Sequence, residues 1–192
     1  MDMKLIRIIT LLCLGTGSAL PAQAGDAAEP PVATAALTTI TALDVPRYMG
    51  TWYEIAKFPN WFQKKCAGDT RAEYRAQADG TVQVINRCRL DSGEMTDAVG
   101  SARQVGGATS PKLQVRFAPA WLAFIPAVWG NYWVIDLDES YQLVAVSEPS
   151  REYLWVLSRT PKVDQKSYQA LLGRLAQMGL EIARLELTRQ GN

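Results

Sequence analysis

Residues 131–158 read NYWVIDLDESYQLVAVSEPSREYLWVLS. Three runs within them, 131–137, 141–147 and 152–158, are rich in β-branched and aromatic residues, and polar turn signals separate them. Runs this short, bounded this way, read as strands. The same spacing continues upstream in 52–58 (WYEIAKF), 70–76 (TRAEYRA), 81–88 (TVQVINRC), 95–103 (MTDAVGSAR) and 112–117 (KLQVRF). Ala78-Asp79-Gly80 and Asp91-Ser92-Gly93 supply hairpin turns. Eight antiparallel strands at this spacing predict a β-sandwich or a closed barrel. An eight-stranded barrel has no free edge, and its interior is wide enough for one small ligand.

After the eighth run the period changes. Tyr168, Leu171, Leu172, Leu175 and Met178 recur at helical spacing, Asp164 is placed to cap the start, and Gly179 stops the run. One apolar stripe predicts a helix packed on the outside of the sheet. A last strand is expected in 181–187, EIARLEL.

The remaining apolar run, 117–133 (FAPAWLAFIPAVWGNYW), is broken by Pro119 and Pro126. It is too short and too interrupted for a membrane span, which needs about 20 apolar residues. The prolines keep its middle from becoming helix or strand. It therefore divides into a strand end at Phe117, a loop, and a strand start at Asn131.

The first residues carry export grammar. Lys4 and Arg7 precede an apolar stretch, and Ala22-Gln23-Ala24 offers small residues to a signal peptidase. We expect a signal peptide over 1–24, a flexible leader over 25–42 and one domain over 43–192. The alternative is a lipoprotein acylated at Cys13, but Leu12 stands where a small residue belongs.

The 192-residue chain carries 20 basic and 19 acidic residues. That balance gives no electrostatic reason to bind nucleic acid. There is no histidine. Histidine-dependent nucleophiles and His-ligated zinc or haem are thereby excluded. Of three cysteines, Cys66 and Cys88 lie in the expected domain. In an oxidising compartment such a pair reads as one disulfide, pinning one end of the fold.

Three blocks of this sequence resemble the lipocalin family. Gly50-Thr51-Trp52 resembles its Gly-x-Trp signature, and WYEIAKFPNWF its form in bacterial lipocalins of the outer-membrane lipoprotein type and in apolipoprotein D. YWVIDLDESYQLVAVSEP (132–149), with Asp138 and Tyr141 in a turn, resembles the second block, and YLWVLSRTP, ending in Arg159, the third. The resemblance implies an all-β fold: an eight-stranded antiparallel up-and-down barrel, one C-terminal helix outside and a short final strand. Trp52 would plug the closed end with the Arg159 guanidinium over its ring. Gly50, Trp52 and Arg159 are then structural.

Within such a barrel, alternation selects the inward side chains. They are Ala72 and Tyr74; Val82, Val84 and Asn86; Leu113, Val115 and Phe117; Tyr132, Val134 and Asp136; Val144 and Val146; Tyr153 and Trp155. Lys112, Gln114 and Arg116 then face water, and Leu154 and Val156 face the helix. The lining is apolar and aromatic with a few polar groups, as small-molecule pockets usually are. The loops opposite Trp52 carry Trp61, Phe62, Trp121, Phe124 and Trp129, with Lys64 and Lys65 alongside. That aromatic lip suits ligand entry or transient contact with a membrane.

The expected function is an exported, non-enzymatic binding protein that carries or stores a hydrophobic ligand, and the resemblance implies a fatty acid or lysophospholipid. No metal or cofactor is expected. The expected location is the periplasm, with an outer-membrane lipoprotein as the alternative. Two other readings are an isomerase or synthase using the Cys66 thiol, and a tetrapyrrole carrier using tyrosine.

Overall fold

The computed structural model describes residues 35–191. The expected signal peptide, Cys13 and most of the expected leader lie outside them. Eight strands form the barrel: β1 (Gly50–Lys57), β2 (Cys66–Ala76), β3 (Val82–Leu90), β4 (Met95–Gln104), β5 (Lys112–Arg116), β6 (Gly130–Leu137), β7 (Leu143–Ser147) and β8 (Leu154–Ser158). Each pairs antiparallel with its sequence neighbour, and β1 pairs with both β2 and β8, so the sheet closes on itself. This is the expected barrel.

The turn chemistry follows the residues. Gly80 and Gly93 adopt φ +81° and +88°, and Asp79 Oδ1 accepts from Thr81 N at 2.9 Å. Asp138 organises the β6–β7 turn, its Oδ1 accepting from the backbone of both Gln142 and Leu143 at 2.6 Å. Tyr141 sits there at φ +59° with the Arg47 guanidinium 4.1 Å above its ring.

The barrel separates two apolar cores. Inside lie Trp52, Tyr74, Val84, Val134, Val144, Val146 and Leu157. Outside, Ile135, Ala145, Leu154 and Val156 meet Tyr168, Leu171 and Leu175 of the long helix, Gln165–Gln177. Its N-cap is Asp164, which accepts from Ser167 N at 2.8 Å, and Gly179 follows at φ +79°. β7 is buried on both faces because it stands between the two cores. Burying each such aliphatic side chain stabilises the fold by about 1.5–3 kcal/mol.

Several details depart from the sequence reading. A four-residue helix, Val45–Tyr48, crosses the closed end of the barrel; its cap is Asp44, which accepts from Arg47 N at 3.1 Å. We number it α1 and the long helix α2. Residues 35–42, expected within the leader, contain no helix or strand but lie against the domain. Leu37 is buried, Ile40 N donates to Val134 O at 3.1 Å, and Arg151 Nη2 donates to Ala35 O at 2.6 Å. The expected seven-residue final strand shrinks to β9, Glu186–Leu187, preceded by a single 3-10 turn over Ile182–Arg184. The turn lays Ile182 and Leu185 on the outer core, which an extended strand would not do.

β9 has a particular place. β1 and β2 pair only over Gly50–Tyr53, at the closed end. Towards the mouth the C-terminal segment lies along β1 and reaches β2. Thr188 N donates to Ile55 O, and Asp69 N to Arg189 O, at 2.9 and 2.8 Å. Gln190 Nε2 bridges Glu54 O and Thr70 O at 2.7 and 2.8 Å. A seam that would expose unpaired backbone is thus closed.

Candidate functional site

The site is a cup whose floor comes first. The Trp52 ring is fully buried, and its Nε1 donates to Tyr48 O at 2.8 Å. Arg159 lies 4.0 Å from the centroid of that ring. Its Nη1 and Nη2 donate to Thr51 O and Arg47 O at 3.1 and 2.9 Å. A guanidinium stacked on an indole, with its N–H groups on backbone carbonyls, ties the floor together and has those donors already engaged. The Arg159 guanidinium thus lies over the Trp52 ring at the closed end of the barrel.

Above the floor stand three tyrosines. Tyr132 Oη is 2.8 Å from Tyr48 Oη and 2.9 Å from Tyr74 Oη. Burial holds all three phenols protonated and pushes Tyr74 up to about 12. They border a small pocket of about 10 Å³, room for about one water-sized group, whose other walls are apolar, including Leu43, Met49, Val82 and Leu113.

Of the fifteen side chains expected to face the interior, all but four belong to the interior core. Asn86, Phe117 and Tyr153 lie at the mouth instead. Asn86 shares the inward side with Val84 but is exposed, because the mouth half of β4 stands open beside it. Phe117 is 46% exposed and lies above Gly100, where a Cβ would come within 2.7 Å of its ring. Asp136 is a correction. A register shift between Val134 and Asp136 turns it outward, where Arg174 of α2 grips both carboxylate oxygens at 2.6 and 2.8 Å. A bulge resets the alternation on which the inward expectation rested.

One side of the mouth is an aromatic ladder. The rings of Tyr153 and Trp155 stack at 5.8 Å, and Phe62 leans on them at 5.6 and 6.2 Å. Trp61 meets Phe62 edge-on at 5.5 Å. Below the ladder runs a polar chain. Trp155 Nε1 donates to Gln63 Oε1 at 3.0 Å, and Gln63 Nε2 donates to Glu54 Oε2 at 2.7 Å. Thr188 Oγ1 donates to Glu54 Oε1 at 2.5 Å. Glu54 is 2% exposed, and desolvation raises its carboxyl above the ordinary value against those two hydrogen bonds. Nothing in the spacing of the sequence joins residues 54, 63, 155 and 188; only the folded seam does.

The lip divides into two parts. Trp61, Trp121 and Phe124 are 72, 72 and 79% exposed. Trp129 is not among them. Its ring folds back on the outer wall, 4.1 Å from the Arg103 guanidinium and 5.2 Å from that of Arg116, and its Nε1 donates to Ala123 O. Arg116, expected in water, is thereby covered to 8% exposure, with Nη1 donating to Ala118 O. The loop itself holds two single 3-10 turns, Ala120–Leu122 and Pro126–Val128, which its prolines permit but do not extend.

Cys66 and Cys88 form the expected disulfide. It removes the free thiol on which the isomerase or synthase reading rests. Among the described residues, no group of three or more Cys, Asp or Glu side chains is placed to hold a metal ion.

A family model described as a lipocalin-like domain matches residues 43–190. Temperature-induced lipocalin-1 of Arabidopsis thaliana is 40% identical over 158 residues, covering 81% of this chain and 84% of its own. Outer membrane lipoprotein Blc of Escherichia coli (strain K12) is 32% identical over 180 residues, covering 93% and 95%. Among solved structures, insecticyanin from the tobacco hornworm Manduca sexta superposes with a TM-score of 0.63 at 16% identity, over 81% of this chain and 85% of its own. That last likeness concerns the fold alone.

Proposed function

This chain belongs to the lipocalin family, and from that premise we propose that it is an exported carrier of a lipid held in the barrel. The family generally binds small hydrophobic ligands. One observation carries the finer reading: the aromatic ladder of Phe62, Tyr153 and Trp155 leads from the exposed rim down the barrel wall, opposite a sealed floor. An acyl chain laid along it leaves water at about 0.8 kcal/mol per CH2, less the cost of ordering both partners. Fatty acids and lysophospholipids fit because a single chain enters while a charged head stays outside, near the exposed Lys64 and Lys65. The exposed Trp61, Trp121 and Phe124 then touch a membrane during exchange.

Export with cleavage after Ala24 places the carrier in the periplasm. The Blc relative is named an outer membrane lipoprotein. Here Leu12 before Cys13 favours the soluble product. Protein recovered from the periplasm should begin at Gly25 on N-terminal sequencing. Mass spectrometry of the natively purified protein should show bound single-chain lipids. Ala98→Trp should block the mouth, since Ala98 pairs with Asn86 on the inward side of β4. Unchanged lipid content in that variant would sink the carrier reading.

A further inference from the structure

The three tyrosines hold one proton more than they can use. Each phenol brings one, and the chain Tyr48–Tyr132–Tyr74 contains two links. Whichever way each link points, one proton remains without an acceptor among the described residues. If both outer phenols donate inward, it is Tyr132's; if the chain runs one way, it belongs to an end. A buried donor left without an acceptor is costly. The pocket beside it offers none, being walled by Leu43, Val45, Met49, Val82, Leu113 and Val115 besides the tyrosines.

We propose that this corner is a polar subsite for an uncharged acceptor oxygen at the buried end of the ligand: a ketone, ester or alcohol. The inference rests on the carrier reading and narrows its substrate class to single-chain lipids that carry a neutral oxygen towards the buried end of the chain. A carboxylate does not suit the position. Burial holds the phenols protonated, and Arg159 stands beyond the Trp52 ring with its donors on backbone carbonyls. An anion there would be desolvated with one free phenol proton to bind it and only the charge of Arg159 beyond the ring to offset it. The ligand therefore enters with its neutral oxygen first, and any charged group remains at the mouth.

The test compares 2-tridecanone with 2-methyl-1-tridecene, in which a methylene replaces the carbonyl oxygen. Each displaces a fluorescent apolar dye from the delipidated full-length protein. The measured quantity is the ratio of the alkene Kd to the ketone Kd. One recovered hydrogen bond makes that ratio about tenfold larger in the wild type than in the triple variant Tyr48→Phe, Tyr74→Phe, Tyr132→Phe. Removing all three hydroxyls together strands no partner, so the triple variant should fold with an unchanged Tm. Tyr132→Phe alone should retain the preference, because it frees two protons instead of one. In the wild type, the infrared carbonyl stretch of bound ketone should fall below its value in hydrocarbon solvent, and this readout needs no variant. Equal ratios in wild type and triple variant, or an unshifted stretch, would overturn the subsite and leave the carrier intact. If neither compound displaces the dye from wild type, the carrier reading and the subsite fall together.

Discussion

The Arg159 guanidinium carbon lies 4.0 Å from the centroid of the Trp52 ring, and its nitrogens reach the carbonyls of Thr51 and Arg47. One side chain thus ties β1, α1 and the end of β8 into a floor. Arg159→Ala should cost about 2–3 kcal/mol, from a cation–π contact and carbonyls left short of donors. For a domain of this size that lowers Tm by roughly 5–10 °C. Arg159→Lys should recover less than half of the loss, since an ammonium cannot stack and span two carbonyls together. A Tm for Arg159→Ala within 1 °C of wild type, about the noise of such a scan, would contradict this account.

Gly68 bears on the C-terminal seam. A Cβ there would lie 2.7 Å from Arg189 O, a backbone atom that cannot swing away. Gly68→Ala should therefore unseat residues 188–191 while leaving the barrel folded. Hydrogen exchange should show early loss of protection at Thr188 and Asp69, whose amides donate across the seam. Protection equal to wild type at both would refute the idea.

Glu54 supplies a pH signature. Its folded carboxyl titrates above the unfolded value because burial disfavours the charge. An acid raised on folding adds most stability below its unfolded pKa and loses it as pH rises through the folded one. Relative to Glu54→Gln, wild type should thus be most favoured near pH 4 and should lose ground towards pH 8. Thermal melts of both proteins across that range give the comparison. A constant Tm difference would mean the carboxyl does not titrate as its burial requires.

The disulfide joins residues 22 apart in sequence, where β2 begins near the mouth. Reduction should cost about 3 kcal/mol in the chain-entropy model. That corresponds to a Tm lower by roughly 6–12 °C. Thiol titration in denaturant without reductant should find Cys66 and Cys88 unreactive.

If the exposed lip touches membranes as proposed, membrane contact and ligand binding are separable. Trp121→Ser with Phe124→Ser removes aromatic surface that supports no core. Binding to anionic phospholipid vesicles should fall several-fold, while Tm and lipid affinity in solution stay put. A large drop in Tm would instead show that these rings stabilise the fold.

Much of this molecule was legible residue by residue. The alternation in 81–84, 112–115 and 154–157 assigned faces, and the glycines at 80 and 93 assigned turns. The stripe from Tyr168 to Leu175 assigned the helix face. α1 carries no periodic signal, although Asp44 and Pro46 mark its start, because four residues are too few to show a period.

By itself, then, the sequence determined the strands, their turns and the outer helix. Each of these rests on periods and turn preferences that act within a few residues. Only the tertiary structure decided where alternation breaks, at the bulges beside Glu54 and Val134 that turned Asp136 towards Arg174. Only it laid Thr188 and Gln190 into the β1–β2 seam and drew Tyr48, Tyr74 and Tyr132 to one point. Those arrangements depend on closing a barrel, a long-range event whose partners no local window of sequence contains.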